Sequence, residues 1–555
     1  MPLPASPARI RIRDLLICLS VGNLLFLRRW YDIEQLQSRA MDYFRTGPAQ
    51  NTQFWATLIA IGIAAAAFWP IALLIRRFPT GRLAKLGRAG FLVLLAVPLE
   101  TVRRFWNYRE GHTDLGSTLS LLAIEALLAV GVVQIVRNNA RVVRAAERVA
   151  LYMVVALPVF AGHYWLSHSG GDPASAWSPR STLPMLAPKT SAGGAPQRRL
   201  IWLLFDEFDQ RLAFDERQPG VDLPELDRLR GESMVATRAE QTAGWTMLAV
   251  PSLLSGRVFA HSESASADSL LLTPAGSSQM IDWHDEPNVF RKARELGMNA
   301  GIVGWHHPYC RVLGDSVARC FEVMSGSGSD SLARDLQASD FGLWRAVGLS
   351  YRTRLETFLD IFRPEGTARA EHLSEPFLQR RQQQQFFRIR ERAFEDARDP
   401  RLGLLFVHFP TPHLFAIYDR KRKDFTLSNK TTYFDNLALV DRTVGELRRE
   451  LERAGLWDST SILISSDHGL RHALWKGTMN WTPEFEHLMA QGSSPIVPFI
   501  LKLAGRRDPV VFDQSFSAVV TGDLALAVLA GDVTTAAQGA AWLGRHGAAK
   551  NVTSR

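Results

Sequence analysis

The stretch RLIWLLFDEFD, residues 199–209, joins an unbroken apolar run to a group of acidic residues. A short apolar run between polar residues is typical of a strand that is buried on both faces of a sheet. In open α/β sheets, ligands bind beyond the carboxyl ends of the strands. The stretch therefore predicts a buried strand of an α/β domain, with Asp206, Glu207 and Asp209 at the edge where a site forms.

The rest of this region alternates between helical patterns and short apolar runs. The alternating segments are 288–297, 299–305, 403–409, 433–455, 461–466 and 496–503. Such alternation is typical of an α/β sheet that is covered by helices on both faces. We therefore predict an α/β domain over residues 199–510 and a C-terminal extension of uncertain structure over 511–555.

The first 166 residues differ from this region because they contain several long apolar runs. Four of them approach the length of about 20 residues that a membrane-spanning helix needs, and a fifth is shorter. The runs are 54–75, 89–99 with its flanks, 115–136, 149–166 and the shorter 15–27. Buried core helices of a soluble protein are the alternative, but so many runs favour a bundle of four to five transmembrane helices over 1–166. A Ser-, Gly- and Pro-rich stretch then predicts a flexible linker over 167–198.

The basic charge of the chain is concentrated beside these apolar runs. The net charge is +9, and the loop 76–88 has five basic residues and no acidic one, whereas the loop 100–116 is balanced. The loop 137–148 has four arginines and one glutamate. The positive-inside rule places the two basic loops in the cytoplasm, so the chain leaves the last span on the outer side. The charge therefore predicts membrane topology and argues against nucleic-acid binding.

Polar side chains follow two further apolar runs of the predicted sheet. His408 and His413 lie in or after the run 403–409, and Asp467 and His468 follow 461–466. A lone acid is often a helix cap and a lone histidine is often structural. Three strand ends that carry carboxylates or imidazoles together predict a metal site, because hard and borderline cations prefer these ligands.

A hydroxyl nucleophile is predicted in QTAGWTMLAVPSLLSGR, residues 241–257. Thr246 directly precedes an apolar helical pattern, and the positive end of a helix favours an anion there. A metal bound to the oxygen would make it an effective nucleophile. A purely structural N-cap is the alternative role, and Thr242 is a competing candidate. Nearby in the domain, Cys310 and Cys320 predict a disulfide if the domain is extracytoplasmic, or otherwise two free thiols.

The segments LLFDEFD, TMLAVPSLLSG, TPH and SSDHG, in this order, resemble the sulfatase-like branch of the alkaline phosphatase superfamily. The resemblance covers residues 199–503. The multi-span amino-terminal part is similar to anchored phosphoethanolamine transferases and lipoteichoic-acid synthases. The resemblance implies an alkaline-phosphatase-like α/β/α sandwich with a divalent metal. It also implies a bacterial inner-membrane protein whose catalytic domain is periplasmic.

The resemblance assigns roles to individual residues. Thr246 takes the position of the nucleophile, because its distances to Pro251 and Gly256 match the family pattern. The implied metal ligands are Asp206 and/or Glu207, Asp467 and His468. The residues that bind the ester group or supply acid or base help are His413, Lys476 and His307, with His306 as the alternative to His307.

The chain also departs from the family pattern. Thr246 cannot become the formylglycine of sulfatases, which requires Cys or Ser. The lysine of the family's Lys-Trp-His element is absent, and no clear second set of metal histidines follows SSDHG, although His472 is a candidate. We therefore predict one metal ion. The histidine ligand and the transferases favour zinc, while calcium, magnesium and manganese stay open.

Three functions are consistent with these features. The first is a metal-dependent phospho-group transferase or esterase that acts on envelope phospholipids or glycans at the membrane surface. The second is a sulfatase-like hydrolase of sulfuric or phosphoric esters. The third is a catalytically silent envelope-binding protein that keeps the fold, since a fold alone does not guarantee activity. The retained threonine, aspartates and histidines argue against the third.

Overall fold

The computed structural model describes most of the chain. The described residues are 7–36, 42–45, 51–77, 81–82, 85–87, 90–91, 130, 133, 137, 140–168, 174–187, 198–324, 342–360, 375–428, 430–476, 480–482, 485–486 and 492–547. They divide into two compact units. The first unit comprises Met1–Ser38, Ala49–Gly171 and Gly328–Pro364, and the second comprises Arg39–Pro48, Asp172–Ser327 and Glu365–Arg555.

The first unit is helical where it is described. Its helices are α1 (Pro7–Leu25), α2 (Leu27–Leu36), α3 (Thr52–Arg77), α4 (Ala140–Met153), α5 (Ala156–His168) and α10 (Leu343–Asp360). Phe26, Trp30 and Phe54 are buried in its core with Tyr164 and Ala346. Helix α10 therefore packs in this unit, although the residues on either side of its segment belong to the second unit.

Within the described part of the first unit, two stretches are long and apolar enough to cross a membrane. They are Thr52–Leu74 and Arg144–Leu166, and they overlap the predicted spans 54–75 and 149–166. The predicted spans 89–99 and 115–136 lie almost entirely outside the described residues. The short run 15–27 lies mostly within α1. The described residues thus contain two of the predicted spans, and the full bundle of four to five helices stays a prediction.

The second unit is the predicted α/β domain. Its strands are β1 (Leu200–Asp206), β2 (Met234–Glu240), β3 (Phe259–Ser266), β4 (Ser269–Pro274), β5 (Ile281–Asp282), β6 (Asn299–Trp305), β7 (Arg319–Val323), β8 (Leu402–Pro412), β9 (Tyr418–Asp419), β10 (Asp424–Phe425), β11 (Ser461–Ser466), β12 (Ile496–Lys502), β13 (Val510–Phe512) and β14 (Phe516–Ser517). Its α-helices are α6 (Pro224–Arg230), α7 (Thr246–Ser255), α8 (Val289–Glu295), α9 (Tyr309–Leu313), α11 (Glu375–Ala397), α12 (Tyr433–Arg453), α13 (His472–Lys476), α14 (Thr521–Ala530) and α15 (Ala536–His546).

The described strands form one large mixed sheet and two small ones. The order in the large sheet is β13-β2-β12-β11-β1-β8-β6-β7, with β14 also paired to β2. Strand β1 pairs in parallel with β11 on one side and β8 on the other, and β6 pairs in parallel with β8. The carboxyl ends of these four strands therefore lie side by side at one edge of the sheet.

Strand β1 shows why the sheet is covered on both faces. All seven of its residues are buried. Trp202 and Leu204 pack into the hydrophobic core on one face, whereas Leu203 and Phe205 pack into a separate core on the other. Alternate side chains of a strand point to opposite faces, so a run without polar residues requires an apolar layer on each side. The predicted α/β domain is confirmed.

Two segments outside the predicted domain bounds belong to this unit. Within the predicted linker, Arg180 and Leu183 donate backbone hydrogen bonds to the carbonyl oxygens of Cys310 and Val317, at 2.9 and 2.7 Å. This part of the linker is therefore bonded to the domain instead of being free, because its backbone groups find partners there. The predicted C-terminal extension supplies β14, α14 and α15, and β13 extends into it. Phe516 and Leu543 from this extension are buried in the core.

Candidate active site

Asp206 is the last residue of β1 and is fully buried. Its Oδ2 lies 3.5 Å from the Thr246 hydroxyl. Its Oδ1 has no hydrogen-bond partner among the described residues. Burial and then the nearby charge of Asp467 raise the pKa of Asp206 well above its ordinary value. A buried carboxylate in this position needs a compensating positive charge.

Asp467 and His468 follow β11 and are fully buried. Asp467 Oδ1 accepts from the backbone N–H groups of Glu207 and His468, at 3.3 and 2.8 Å. These bonds leave Asp467 Oδ2 without a hydrogen-bond partner in the described structure. His468 Nδ1 lies 2.9 Å from the carbonyl oxygen of Gly469. A carbonyl only accepts, so Nδ1 carries a proton and Nε2 is left to face the two aspartates.

Asp206, Asp467 and His468 form a cluster that fits a divalent cation. One ligand atom from each lies within 4.8 Å of the others. His468 Nε2 is 3.3 Å from Asp467 Oδ2 and 3.7 Å from Asp206 Oδ1. Both of these carboxylate oxygens are the ones without partners. A bound cation would satisfy them and offset the repulsion between two buried acids.

Thr246 is the first residue of α7 and is 4% exposed. The preceding residue, Trp245, has an extended backbone with φ −141° and ψ 133°, so the helix begins abruptly at the threonine. The Thr246 Oγ1 lies 3.2 Å from His468 Nε2. The hydroxyl therefore faces the acidic cluster from the positive end of a helix, where an alkoxide is stabilised.

Glu207 is the second acid that the resemblance implies as a metal ligand. Its backbone is left-handed, with φ 62°. Its two carboxylate oxygens accept from Arg471 Nε at 2.7 Å and from Trp475 Nε1 at 2.9 Å. Of the two candidates at this position, Asp206 is the one that lies in the cluster that could hold a metal ion.

Arg471 also connects to His413. Its Nη2 donates to His413 Nε2 at 2.9 Å, and His413 Nδ1 donates to the carbonyl oxygen of Leu414 at 2.8 Å. The guanidinium lies over the ring of Trp245, 5.2 Å from its centroid. Its side chain is 18% exposed. Arg471 thus places a positive charge between Glu207 and the ring of Trp245, the residue that precedes Thr246.

His307 is buried and uses both ring nitrogens inside the protein. Its Nε2 lies 3.2 Å from the Thr246 carbonyl oxygen, and its Nδ1 lies 2.9 Å from the Tyr43 hydroxyl. Burial lowers the pKa of His307 to about 3, so the ring is neutral near pH 7. The resemblance assigns His307 to the ester group, and the structure places its ring against the backbone carbonyl of Thr246. His306, the alternative, has a left-handed φ of 76°.

Comparisons with known proteins found a family model and several distantly similar structures. Residues 255–503 match the sequence model of the family described as Type I phosphodiesterase / nucleotide pyrophosphatase. The matched segment begins at the end of α7 and includes the SSDHG loop with Asp467 and His468. This match supports the resemblance to the alkaline phosphatase superfamily that the sequence motifs indicate. No curated protein sequence matches the chain.

Several solved structures of this superfamily and its relatives are distantly similar to the chain. The lipoteichoic acid synthase LtaP from Listeria monocytogenes is 13% identical, with 62% of this chain and 75% of that chain covered and a TM-score of 0.36. An alkaline phosphatase superfamily protein from Vibrio parahaemolyticus is 12% identical, covering 66% and 75%, with a TM-score of 0.35. The phosphonate monoester hydrolase SpPMH from Silicibacter pomeroyi is 13% identical, covering 60% and 73%, with a TM-score of 0.35.

Lys476, which the superfamily resemblance assigns to the ester group, lies at the surface. It ends the five-residue helix α13, its side chain is 63% exposed, and its Nζ lies 3.5 Å from Glu486 Oε1. The helix turns Lys476 outward while Arg471, just before the helix, points inward. The structure therefore supplies the positive charge of the site from Arg471. His472, the candidate for a second metal set, bonds through Nδ1 to the Ser493 hydroxyl at 3.3 Å.

His408 is a site residue without an assigned role in the sequence analysis. It lies in β8, is fully buried, and its Nδ1 is 2.9 Å from the Tyr309 hydroxyl. Its Nε2 has no hydrogen-bond partner among the described residues and lies 3.9 Å from Asp206 Oδ2. A Cβ at Gly304 would lie 2.0 Å from the Tyr309 ring, so glycine there lets this tyrosine reach His408. Its position near the end of the apolar run 403–409 was the signal that identified this histidine.

The other predicted features lie close by in the fold. Cys310 and Cys320 form a disulfide, with their Cα atoms 5.6 Å apart. Asp209 accepts from the backbone N–H groups of Leu212 and Leu470, at 3.0 and 3.3 Å, and so ties the loop after β1 to the loop after β11. Thr242, the competing nucleophile, is 3.4 Å from the Ala249 carbonyl oxygen. Among the two threonines, Thr246 is the one whose hydroxyl bonds to the acidic cluster.

Replacing Arg471 by methionine should destabilise the domain by about 3–5 kcal/mol, because Glu207 would keep a buried charge without its partner. Adding Glu207→Gln should recover much of this loss, since the buried charge is then removed. Chemical unfolding of the two single variants and the double variant measures the coupling. An Arg471→Met variant whose free energy of unfolding stays within about 1 kcal/mol of the parent would show that the pair does not compensate Glu207.

Proposed function

We propose that this chain is a membrane-anchored, metal-dependent phospho-group transferase or phosphoric ester hydrolase with Thr246 as its nucleophile. The single observation that carries the proposal is the position of the Thr246 hydroxyl. It lies 3.2 Å from His468 Nε2 and 3.5 Å from Asp206 Oδ2, facing two carboxylate oxygens that lack partners among the described residues. A hydroxyl beside such a cluster is suited to attack an ester. Because the ester and the cluster are both negatively charged, the ester can bind there only if the cluster holds a cation.

The residues Asp206, Asp467 and His468 would hold the cation. A divalent metal there supplies positive charge that favours the alkoxide form of a hydroxyl and offsets charge on the ester oxygens. The mixed oxygen and nitrogen ligands favour zinc, as the sequence predicts, although manganese, magnesium and calcium also accept carboxylates.

The proposed reaction has two balanced steps. Thr246 Oγ1 attacks phosphorus, a new O–P bond forms, the bond to the leaving oxygen breaks, and the hydroxyl proton ends on the leaving alcohol. An acceptor hydroxyl or water then attacks the same phosphorus, and its proton returns to the Thr246 oxygen as the O–P bond to threonine breaks. Arg471 lies beside the threonine and would bind the equatorial oxygens, because a guanidinium matches a phosphate in charge and geometry.

Phosphorus is favoured over sulfur for two reasons. Threonine at position 246 cannot be converted to the formylglycine that sulfatases use, because that residue is made from Cys or Ser. The family matched over residues 255–503 is described as phosphodiesterases and nucleotide pyrophosphatases, which act on phosphoric esters. Sulfuric ester hydrolysis is the alternative that the same site geometry allows.

Ion pairs within the first unit support a membrane-anchored protein whose catalytic domain lies outside the cytoplasm. Arg76 pairs with Asp14 at 2.7 Å and with Glu147 at 3.5 Å, and Arg13 pairs with Glu147 at 3.0 Å. These ion pairs join the two loops that the positive-inside rule assigns to the cytoplasm, so both loops lie at the same end of the unit. The proposed location is a bacterial inner membrane with the catalytic domain on the periplasmic side. An anchored site lies near lipid headgroups, which favours a membrane phospholipid or an envelope glycan as substrate or acceptor.

A panel of aryl esters tests the proposed reaction. The purified full-length protein, loaded with zinc or manganese, should turn over aryl phosphate diesters or monoesters at least about a hundredfold faster than aryl sulfates, because Thr246 cannot supply the formylglycine that sulfatases use. The same protein after chelation is the control. A preference for sulfates would select the sulfatase alternative. If the protein turns over no ester with any of the tested metals, the result would favour the catalytically silent binding protein. Transfer of a labelled phospho-group to an added alcohol, and not to water alone, would select the transferase.

A further inference from the structure

The segment 42–45 joins two helices of the first unit but belongs to the second. It lies between α2 and α3 in the chain. Arg311, which is 3% exposed, donates to the backbone carbonyl oxygens of Asp42, Tyr43 and Arg45 at 3.4, 2.9 and 2.7 Å. The Tyr43 side chain is fully buried in the hydrophobic core of the α/β domain. The segment is therefore built into this domain by backbone and side-chain contacts.

The Tyr43 hydroxyl begins a chain of hydrogen bonds that ends at the nucleophile. It lies 2.9 Å from His307 Nδ1, and His307 Nε2 lies 3.2 Å from the Thr246 carbonyl oxygen. Since a carbonyl only accepts, His307 Nε2 carries the proton of the neutral ring. Nδ1 is then the acceptor, and the Tyr43 hydroxyl is the donor.

Aromatic contacts hold the His307 ring in this place. Trp283 packs against it with ring centroids 5.0 Å apart, and Tyr43 meets it edge to face at 6.0 Å and 85°. Phe44 packs against the neighbouring His306 at 5.8 Å. Packing restricts where the ring lies, but it does not determine which nitrogen carries the proton. The Thr246 carbonyl oxygen places the proton on Nε2, and the Tyr43 hydroxyl stabilises this tautomer by donating to Nδ1.

We propose that Tyr43 is a positioning residue for the nucleophile. Its hydroxyl anchors Nδ1 of His307 and so stabilises the tautomer that donates to the Thr246 carbonyl oxygen, and His307 in turn holds the first residue of α7 so that the Thr246 side chain faces Asp206 and His468. A segment from the amino-terminal part of the chain is thus a working part of the active site. The inference rests on the proposed function, since holding Thr246 affects turnover only if Thr246 reacts.

The buried position of Tyr43 determines the kinetic effect to expect. The side chain is fully buried, and its hydroxyl bonds to His307 and not to the cluster, so it should affect the chemical step more than substrate binding. Burial also raises the pKa of Tyr43 well above its ordinary value, so the hydroxyl remains a donor at working pH. Loss of the hydroxyl should therefore lower kcat and leave KM nearly unchanged.

The test compares Tyr43→Phe with the parent as full-length, metal-loaded protein on an aryl phosphate ester. The expected kcat is about tenfold lower, KM stays within about twofold, and the unfolding temperature shifts little because the ring contacts remain. The matched control is Tyr152→Phe, which removes a hydroxyl from a side chain that is 76% exposed and should leave kcat unchanged.

A double-mutant cycle separates positioning from a general structural effect. His307→Gln keeps a side-chain N–H within reach of the Thr246 carbonyl oxygen but has no second ring nitrogen for Tyr43. In that background, Tyr43→Phe should lower kcat by less than about twofold more, because the bond it removes is already gone.

Three outcomes would overturn the inference. They are a Tyr43→Phe variant with the parent kcat, a full tenfold loss that persists in the His307→Gln background, and a loss of kcat that follows an equal loss of thermal stability. Thr246→Ala distinguishes the two proposals. If Thr246→Ala is inactive while Tyr43→Phe is unaffected, this inference alone fails. If Thr246→Ala keeps full turnover, the proposed function fails with it.

Discussion

Replacing Thr246 by alanine should lower kcat for an aryl phosphate ester by at least about 10⁴-fold, because the covalent step would lose its attacking oxygen. Thr246→Ser should keep activity within about a hundredfold of the parent, since serine supplies the same hydroxyl. The alanine variant should still fold, because the Thr246 hydroxyl makes only weak contacts at 3.2 and 3.5 Å. Steady-state kinetics and an unfolding curve on each variant check both expectations.

The control for this comparison is Thr242→Ala at the competing position. Its hydroxyl lies 3.4 Å from the Ala249 carbonyl oxygen and bonds to no member of the acidic cluster. We expect this variant to keep activity within about threefold of the parent, because a half-buried loop hydroxyl that makes one long hydrogen bond contributes little. Loss of activity in Thr242→Ala, with activity retained in Thr246→Ala, would move the nucleophile to the other threonine.

Removing one negative charge from the cluster should abolish metal binding. Asp467→Asn keeps an oxygen that can accept from the backbone N–H groups of Glu207 and His468. The amide nitrogen takes the place of Oδ2, so the negative charge is lost. We expect about one metal ion per parent chain and at least a hundredfold weaker affinity in the variant, with turnover lost in parallel. Elemental analysis after dialysis against graded chelator measures the affinity for zinc, manganese, magnesium and calcium.

Asp209→Asn is the matched control for the metal experiment. Asp209 is also a buried carboxylate after β1, but its oxygens accept from backbone N–H groups and it lies outside the cluster. The control should bind metal as tightly as the parent. Metal should also stabilise the parent, by about 2.7 kcal/mol at a free concentration of 100 times Kd, and should not stabilise Asp467→Asn. Equal metal content in the parent and in Asp467→Asn would contradict the assigned ligands.

Much of this site could be predicted from the sequence because of one property of parallel sheets. Strands β11, β1, β8 and β6 are neighbours, so the polar residues that follow their apolar runs meet at one edge. The sequence therefore predicts that Asp206, His408 and Asp467 lie together without any knowledge of the strand order. Thr246, the proposed nucleophile, was identified from a different signal, the start of an apolar helical pattern.

The remaining features depend on contacts that no local pattern encodes. Lys476 and Arg471 are five residues apart, and only the start of a short helix decides which of them points into the site. The bonds from Arg471 and Trp475 to the Glu207 oxygens also lie beyond what the sequence motifs indicate. The contact between Tyr43 and His307 joins residues 264 positions apart, which periodicity and motif spacing do not reveal.

Intact-mass analysis of the protein during turnover tests directly whether Thr246 forms a covalent intermediate. Full-length parent protein is mixed with an excess of an aryl phosphate diester, quenched in acid within the first turnovers, and digested. We expect the mass to increase by that of the transferred phospho-group. Fragmentation should locate this group on Thr246 in the peptide that contains residues 241–257, and the increase should be absent from Thr246→Ala. An adduct on a different residue, or none while the ester is being turned over, would contradict it.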